Sequence, residues 1–153
     1  MITFKTVSAS SIDALMGIES ACHSHPWTHK TMQSCLVGRY FNLAAFDDTQ
    51  MVGFYIGEKA GPDFTLMDIC VAPAFQGQGI AKQLLDKFIT YGEQHSAENL
   101  FLEVRETNTR AIKLYERAGF SEMSVRKNYY PSDDSAKNGH EDAILMGMTL
   151  LFS

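Results

Sequence analysis

The sequence is poor in three features that each would have assigned it to another class. It has no apolar run near the roughly 18 residues that a membrane-spanning helix needs. It has no cysteine pairing pattern: Cys22, Cys35 and Cys70 are odd in number and far apart, which argues against a disulfide framework and suits a reducing compartment. It has no excess of positive charge. Thirteen Lys and Arg against 18 Asp and Glu leave a formal net charge of -5, so no nucleic-acid partner is expected. The acidic balance suits a basic peptide partner, or simple solubility. Repeats, low-complexity tracts and linkers are also missing, and Met1-Ile2-Thr3-Phe4-Lys5 lacks the build of a signal peptide. What remains, 153 residues with 45% hydrophobic and 20% charged, reads as one globular domain over residues 1–153, expected in the cytoplasm with no membrane partner.

The patterning predicts an α/β layer domain. Residues 1–7 read as a short strand. Ser10 with Asp13 reads as the start of a helix carrying Ile12, Leu15, Met16 and Glu19, and Thr28 as the cap of a second, short helix. Residues 40–46 and 51–57 form a predicted hairpin around Asp47-Asp48-Thr49-Gln50, and a strand follows over about 65–71. Ile80, Leu84, Leu85, Phe88 and Ile89 share one face of an amphipathic helix. Then come a strand at 100–105, a helix at 108–118 closed by Gly119, and two strands at 120–130 and 143–151 joined by a polar loop at 131–142.

The informative segment runs from Asp68 to Ala81, where a strand feeds Gln76-Gly77-Gln78-Gly79 and this loop opens a helix. Loop N–H groups and the helix dipole make an anion site, and a diphosphate suits it. A plain structural turn is the alternative. A dinucleotide fingerprint is absent, because Lys82 stands at the third glycine place and Glu103, at about the distance of the acidic residue, lies inside a strand. A Walker loop is absent too. Gln76, Gly79 and Ala81 match [QR]-x-x-G-x-[GA], and the segment resembles motif A of the GNAT acetyltransferase superfamily.

That resemblance implies a GNAT-like mixed central sheet flanked by helices in a single domain, and acetyl-CoA as co-substrate. It implies contacts to acetyl-CoA from Ile69, Cys70 and Val71, from Gly77, Gln78, Gly79, Ile80, Ala81 and Lys82, and from Asn108. Downstream, Leu102-Glu103-Val104-Arg105-Glu106-Thr107-Asn108, Ala111-Ile112, Leu114-Tyr115-Glu116 and Ala118-Gly119-Phe120 resemble the protein N-acetyltransferases of that superfamily. His25-Pro26-Trp27, Asn128-Tyr129-Tyr130-Pro131 and Gly139-His140-Glu141-Asp142-Ala143 are similar to its branch that modifies ribosomal-protein N-termini. The likeness spans about residues 3–150. Gly77 departs from it, standing where a basic residue is common, and Ala81 replaces a frequent glycine.

By the same resemblance Glu103 is the base, Tyr115 the acid that protonates the leaving thiolate, and the acceptor the N-terminal alanine of the eighteenth small-subunit ribosomal protein. Trp27, Tyr129 and Tyr130 are candidate walls for this peptide, and Glu141 and Asp142 candidate partners for its basic residues. The residue types suit proton transfer. An α-amine titrates at about 7.7–8.0 against about 10.4 for lysine, so lysine costs about 3.4 kcal/mol more to deprotonate. Without their flanks, Glu103 reads first as a solvated strand residue, Tyr115 as a core tyrosine with its hydroxyl at the rim, and Asn108 as a helix cap, a role compatible with a cofactor contact. Other N-termini, lysines or small amines on the same scaffold, and a non-catalytic acyl-CoA-binding module, are the competing functions. Cys22, His23, His25 and His29 are of metal-ligand type, but no second ligand pair follows at finger-like spacing, so no metal is expected. Cys70, in an apolar strand, reads as an inert buried thiol.

Overall fold

The computed structural model describes residues 1–131 and 139–150. Seven strands form one sheet: β1 (Ile2–Lys5), β2 (Tyr40–Asp47), β3 (Gln50–Ala60), β4 (Asp63–Val71), β5 (Asn99–Arg105), β6 (Ser121–Pro131) and β7 (His140–Thr149), in the spatial order β1-β2-β3-β4-β5-β7-β6. The helices are α1 (Ile12–Cys22), α2 (His29–Ser34), α3 (Ile80–Gln94) and α4 (Thr109–Ala118). No helix among the described residues is long and apolar enough to cross a membrane.

Both faces of the sheet are covered at its centre, which explains the uninterrupted burial of β3 from Met51 to Gly57. Tyr55 joins Leu84, Leu85 and Phe88 of α3 on one side, and Phe54 and Ile56 join Leu15 of α1 and Met32 of α2 on the other. The expected caps hold at Thr28, which accepts from the Thr31 N–H, and at Asn108, which accepts from the Ala111 N–H. Gly119 takes the left-handed φ of 112° that ends α4. The start of α1 differs from expectation: Ala9–Ser11 form a 3-10 turn, and the Ser10 hydroxyl pairs with Ser8 at 2.9 Å instead of capping. The last strand begins earlier than expected, at His140, and the expected loop positions 132–138 and residue 151 lie outside the described residues.

Gly57 is required by its neighbour. A Cβ there would enter the Phe41 ring, with two ring carbons at 2.6 and 2.9 Å and Cζ closer still. Phe41 cannot yield easily, because it stacks on Tyr91 at 3.9 Å between centroids. Gly57→Ala therefore destabilises the fold by about 1–3 kcal/mol, read as a lower urea midpoint with an unchanged slope.

Two features of the sheet position a site. First, β7 inserts between β5 and β6, an order the alternating strand–helix pattern did not reveal. The charged and polar β6 is left as an exposed edge. Second, the parallel pairing of β4 with β5 spans only Asp63–Leu66 against Asn99–Leu102, although both strands run on to Val71 and Arg105. At the same level the β3–β4 register jumps from Ile56↔Asp68 to Gly57↔Leu66, so Met67 is the extra residue of a β-bulge. A bulge bends and twists its strand. Beyond it β4 and β5 part, and a cleft opens between them.

Candidate active site

The cleft measures about 1080 Å³ and is bounded by the ends of β4 and β5, the loop before α3, the start of α4, the end of α1 and the tip of β6. Its floor is the glycine loop. Gly77 and Gly79 have φ of 80° and 82°, left-handed values that favour glycine, and Gly79 is the N-cap of α3. The first N–H groups of α3 have no partners within the helix and remain for an anion. Gln76 ties the loop to the strand end by donating from Nε2 to the Val71 carbonyl at 3.0 Å. Of the residues expected at acetyl-CoA, Ile69, Cys70, Val71, Gly77, Gly79, Ile80, Ala81, Lys82 and Asn108 all line this cleft. Gln78 is exposed and lies outside the lining.

Arg110, which the sequence reading missed, lies over the loop. Its Nη2 would stand 4.0 Å from a Cβ built on Gly77. A guanidinium from α4 thus covers the place where a basic loop side chain was expected and found absent. The signal was available, since Arg110 stands in the first turn of the helix that Asn108 caps, but only the fold brings it to residue 77. Charge-assisted hydrogen bonds contribute roughly 1.5–3 kcal/mol, so Arg110→Ala is expected to raise the KM for acetyl-CoA about tenfold or more. The effect shrinks as salt rises, and kcat at saturation is unchanged.

The side chains with proton chemistry stand where the strands have parted. Glu103 on β5 is past the last rung of the parallel ladder. Its Oε1 is 3.7 Å from Arg126 Nη2, while its Oε2 is buried without a hydrogen-bond partner. An unsatisfied buried carboxylate oxygen is costly and calls for an incoming donor. Tyr115 on α4 is buried within the same cleft, edge-on to Phe120. Burial raises its phenol above the ordinary value, so it is a proton donor at neutral pH. Trp27 and Tyr130 line the cleft as expected, with Tyr129 edge-on to Tyr130 at 5.0 Å. Burial, then the charge of Glu103, pushes Tyr130 up to about 12.

Glu141 and Asp142 do not face the cleft as expected. Glu141 is 6% exposed and fully engaged inside the protein: Oε1 accepts from Arg105 Nη1 at 2.8 Å and Oε2 from the Thr107 hydroxyl at 2.7 Å. Burial alone would raise this carboxyl, but the bonds from Arg105 and Thr107 outweigh it and hold it below the usual carboxylate range. Arg105 also donates to the Pro131 carbonyl and lies 4.5 Å over the Tyr130 ring. Asp142 accepts from Lys127 Nζ and from the main chain of Asn128, a residue at φ 54°. The two acids brace β6 and its tyrosines. Glu141, expected at the substrate, pairs with Tyr130 of β6 two residues before the Arg105↔Ala143 rung, and its side chain meets Arg105 rather than the cleft lining.

On the opposite wall, α1 meets β4. Glu19, His23, Asp68 and Cys70 converge there, with Cys22 beside them donating to the Val71 carbonyl at 3.0 Å. Cys70 is buried as expected and belongs to the apolar cluster of Leu15, Phe54 and Ile56, but its sulfur also meets polar partners. Burial, and then the adjacent Asp68, push Glu19 up to about 8. The hydrogen bond to Asp68 raises His23. The sequence held a signal for this cluster: Glu19 and His23 are one helical turn apart, and Asp68 and Cys70 share a strand face.

Comparison with known proteins agrees with this geometry. Residues 12–120 match the Acetyltransferase (GNAT) family. The chain is 38% identical over 150 residues, 98% of its length and 99% of the relative's, to the [ribosomal protein bS18]-alanine N-acetyltransferase of Salmonella typhimurium. It is 35% identical to the enzyme of the same name from Haemophilus influenzae, covering 98% of this chain and 100% of that one. The crystal structure of the ribosomal-protein-S18-alanine N-acetyltransferase from Escherichia coli superposes with a TM-score of 0.93 at 35% identity, over 100% of this chain and 96% of the other. With its glycine loop, parted strands and full-length likeness to these enzymes, the chain belongs to the GNAT acetyltransferase family.

Proposed function

We propose that this chain transfers the acetyl group of acetyl-CoA to the N-terminal alanine amine of ribosomal protein bS18, in the cytoplasm. The observation that carries this reading is the buried, unpartnered Oε2 of Glu103 at the gap between β4 and β5, in a chain 38% identical to an enzyme of that name. The thioester lies along the parted end of β4, with its diphosphate on the loop from Gly77 to Lys82. Glu103 takes a proton from the acceptor's ammonium, directly or through one water. The neutral amine attacks the thioester carbon, a C–N bond forms, and main-chain N–H groups at the gap stabilise the oxyanion. The C–S bond then breaks, Tyr115 gives its proton to the departing thiolate, and the second proton of the acylated nitrogen passes through water to restore the Tyr115 phenol. Trp27, Tyr129 and Tyr130 flank the peptide.

The test is mass spectrometry of peptides incubated with the chain and acetyl-CoA. A peptide with the bS18 N-terminal sequence is expected to gain one acetyl group on its α-amine, and the same peptide with a blocked N-terminus but free lysines none. Turnover of lysine or small amines without the alanine α-amine would refute the acceptor. Normal CoA binding without turnover of any acceptor would refute the enzyme.

A further inference from the structure

The convergence of α1 on β4 has a use beyond packing. His23 Nε2 lies 3.1 Å from Asp68 Oδ1, 3.1 Å from Cys70 Sγ and 3.8 Å from Glu19 Oε1. Cys70 Sγ lies 3.3 Å from Glu19 Oε1 and 3.4 Å from Asp68 Oδ1. All four ligand-type atoms fall within 4.8 Å of one another. Tetrahedral zinc, with bonds of about 2.0–2.3 Å, sets its ligand atoms about 3.3–3.6 Å apart. The five separations that involve His23 or Cys70, 3.1 to 3.8 Å, bracket that spacing before any adjustment.

We propose that Glu19, His23, Asp68 and Cys70 form a zinc site that pins the end of α1 to β4 beside the acceptor wall. Thiolate, imidazole and carboxylate together select zinc over calcium or magnesium, which take oxygen ligands. An independent observation points to a cation: Asp68 is 9% exposed, yet its Oδ2 has no hydrogen-bond partner. A metal on Oδ1 offsets the buried charge of the same carboxylate, whose Oδ2 no protein donor satisfies. A second layer is in place as well, since the Trp27 N–H donates to Glu19 Oε2 at 2.9 Å and leaves Oε1 to face the cluster. Four protein ligands close the coordination sphere, so the site is structural and takes no part in acetyl transfer. Binding displaces the thiol proton of Cys70 and any proton shared by the two carboxyls. The expectation of no metal rested on the lack of a second ligand pair near Cys22 and His23. The second pair comes from β4, 45 residues beyond His23.

The rival arrangement is a metal-free network of shared protons, because the same distances are also hydrogen-bond lengths. Metal analysis of tag-free protein, loaded with zinc and then desalted, separates the two. One zinc per chain is expected. Its affinity should fall at least about 100-fold in His23→Ala and in Cys70→Ala, and stay unchanged in His25→Ala, whose histidine lies outside the cluster. Cobalt(II) in place of zinc should give a thiolate charge-transfer band that Cys70→Ala abolishes. Should Cys70→Ala fail to fold, His23→Ala, whose side chain is 39% exposed, still decides the matter. Wild-type protein that retains no zinc, or a cobalt complex without the thiolate band, overturns the proposal.

Discussion

Glu103→Gln is expected to lower kcat/KM for the alanine-initiated peptide by about 10²–10⁴-fold, the range for loss of a positioned base. The change keeps the size of the side chain and removes only its proton affinity. Binding of acetyl-CoA, proposed on the loop and α3, should be unaffected. The pH profile tests the assignment further. Without the base, only amine that is already neutral reacts, and an α-amine titrates at about 7.7–8.0. The variant's rate should climb roughly tenfold per pH unit below about pH 7 and level off above about pH 8. The deficit against wild type is therefore largest in acid and narrows as pH rises. A deficit that stays constant across the range, or one that appears in the KM for acetyl-CoA, would remove Glu103 from the role of base.

Tyr115→Phe is expected to reduce kcat by about 10²-fold or more while leaving the KM for acetyl-CoA near its wild-type value. The phenol is buried and held in its protonated form, so what the variant loses is a donor, and the ring packing against Phe120 survives. An acetyl donor with a more acidic thiol needs less help to leave, and with it the gap between variant and wild type should shrink. Equal losses with both donors would assign Tyr115 to packing. Circular dichroism melting of the variant guards against a trivial loss of fold.

The local elements were legible because their signals are local. The Ile80–Phe88 stripe, Thr28 and Asn108 as caps, and Gly119 at the end of a helix each follow from a few neighbouring residues. Most residues expected at acetyl-CoA line one cleft for the same reason, since strand, loop and helix are contiguous in the chain. What escaped depends on distant segments meeting. The place of β7 between β5 and β6 is set by pairing across the whole chain. The retraction of Glu141 onto Arg105, the reach of Arg110 to Gly77 and the gathering of Glu19, His23, Asp68 and Cys70 each join residues that no spacing rule relates. Charge alone said least at Glu141: an acid beside a candidate peptide groove reads as a substrate contact, and its partner 36 positions away is visible only in the fold.

The short parallel ladder has a further consequence. Among the described residues, β1–β4 and β5–β7–β6 are joined by strand hydrogen bonds only where Asp63–Leu66 meet Asn99–Leu102. Whatever fills the wedge above those rungs spans both half-sheets and stands in for the missing ones. A guest at 100 times its dissociation constant adds about 2.7 kcal/mol to the stability of its host, a large share of the margin by which a small protein stays folded. The supply of acyl carrier would then govern the endurance of this protein as well as its turnover, and starvation for it would leave the two halves at their loosest.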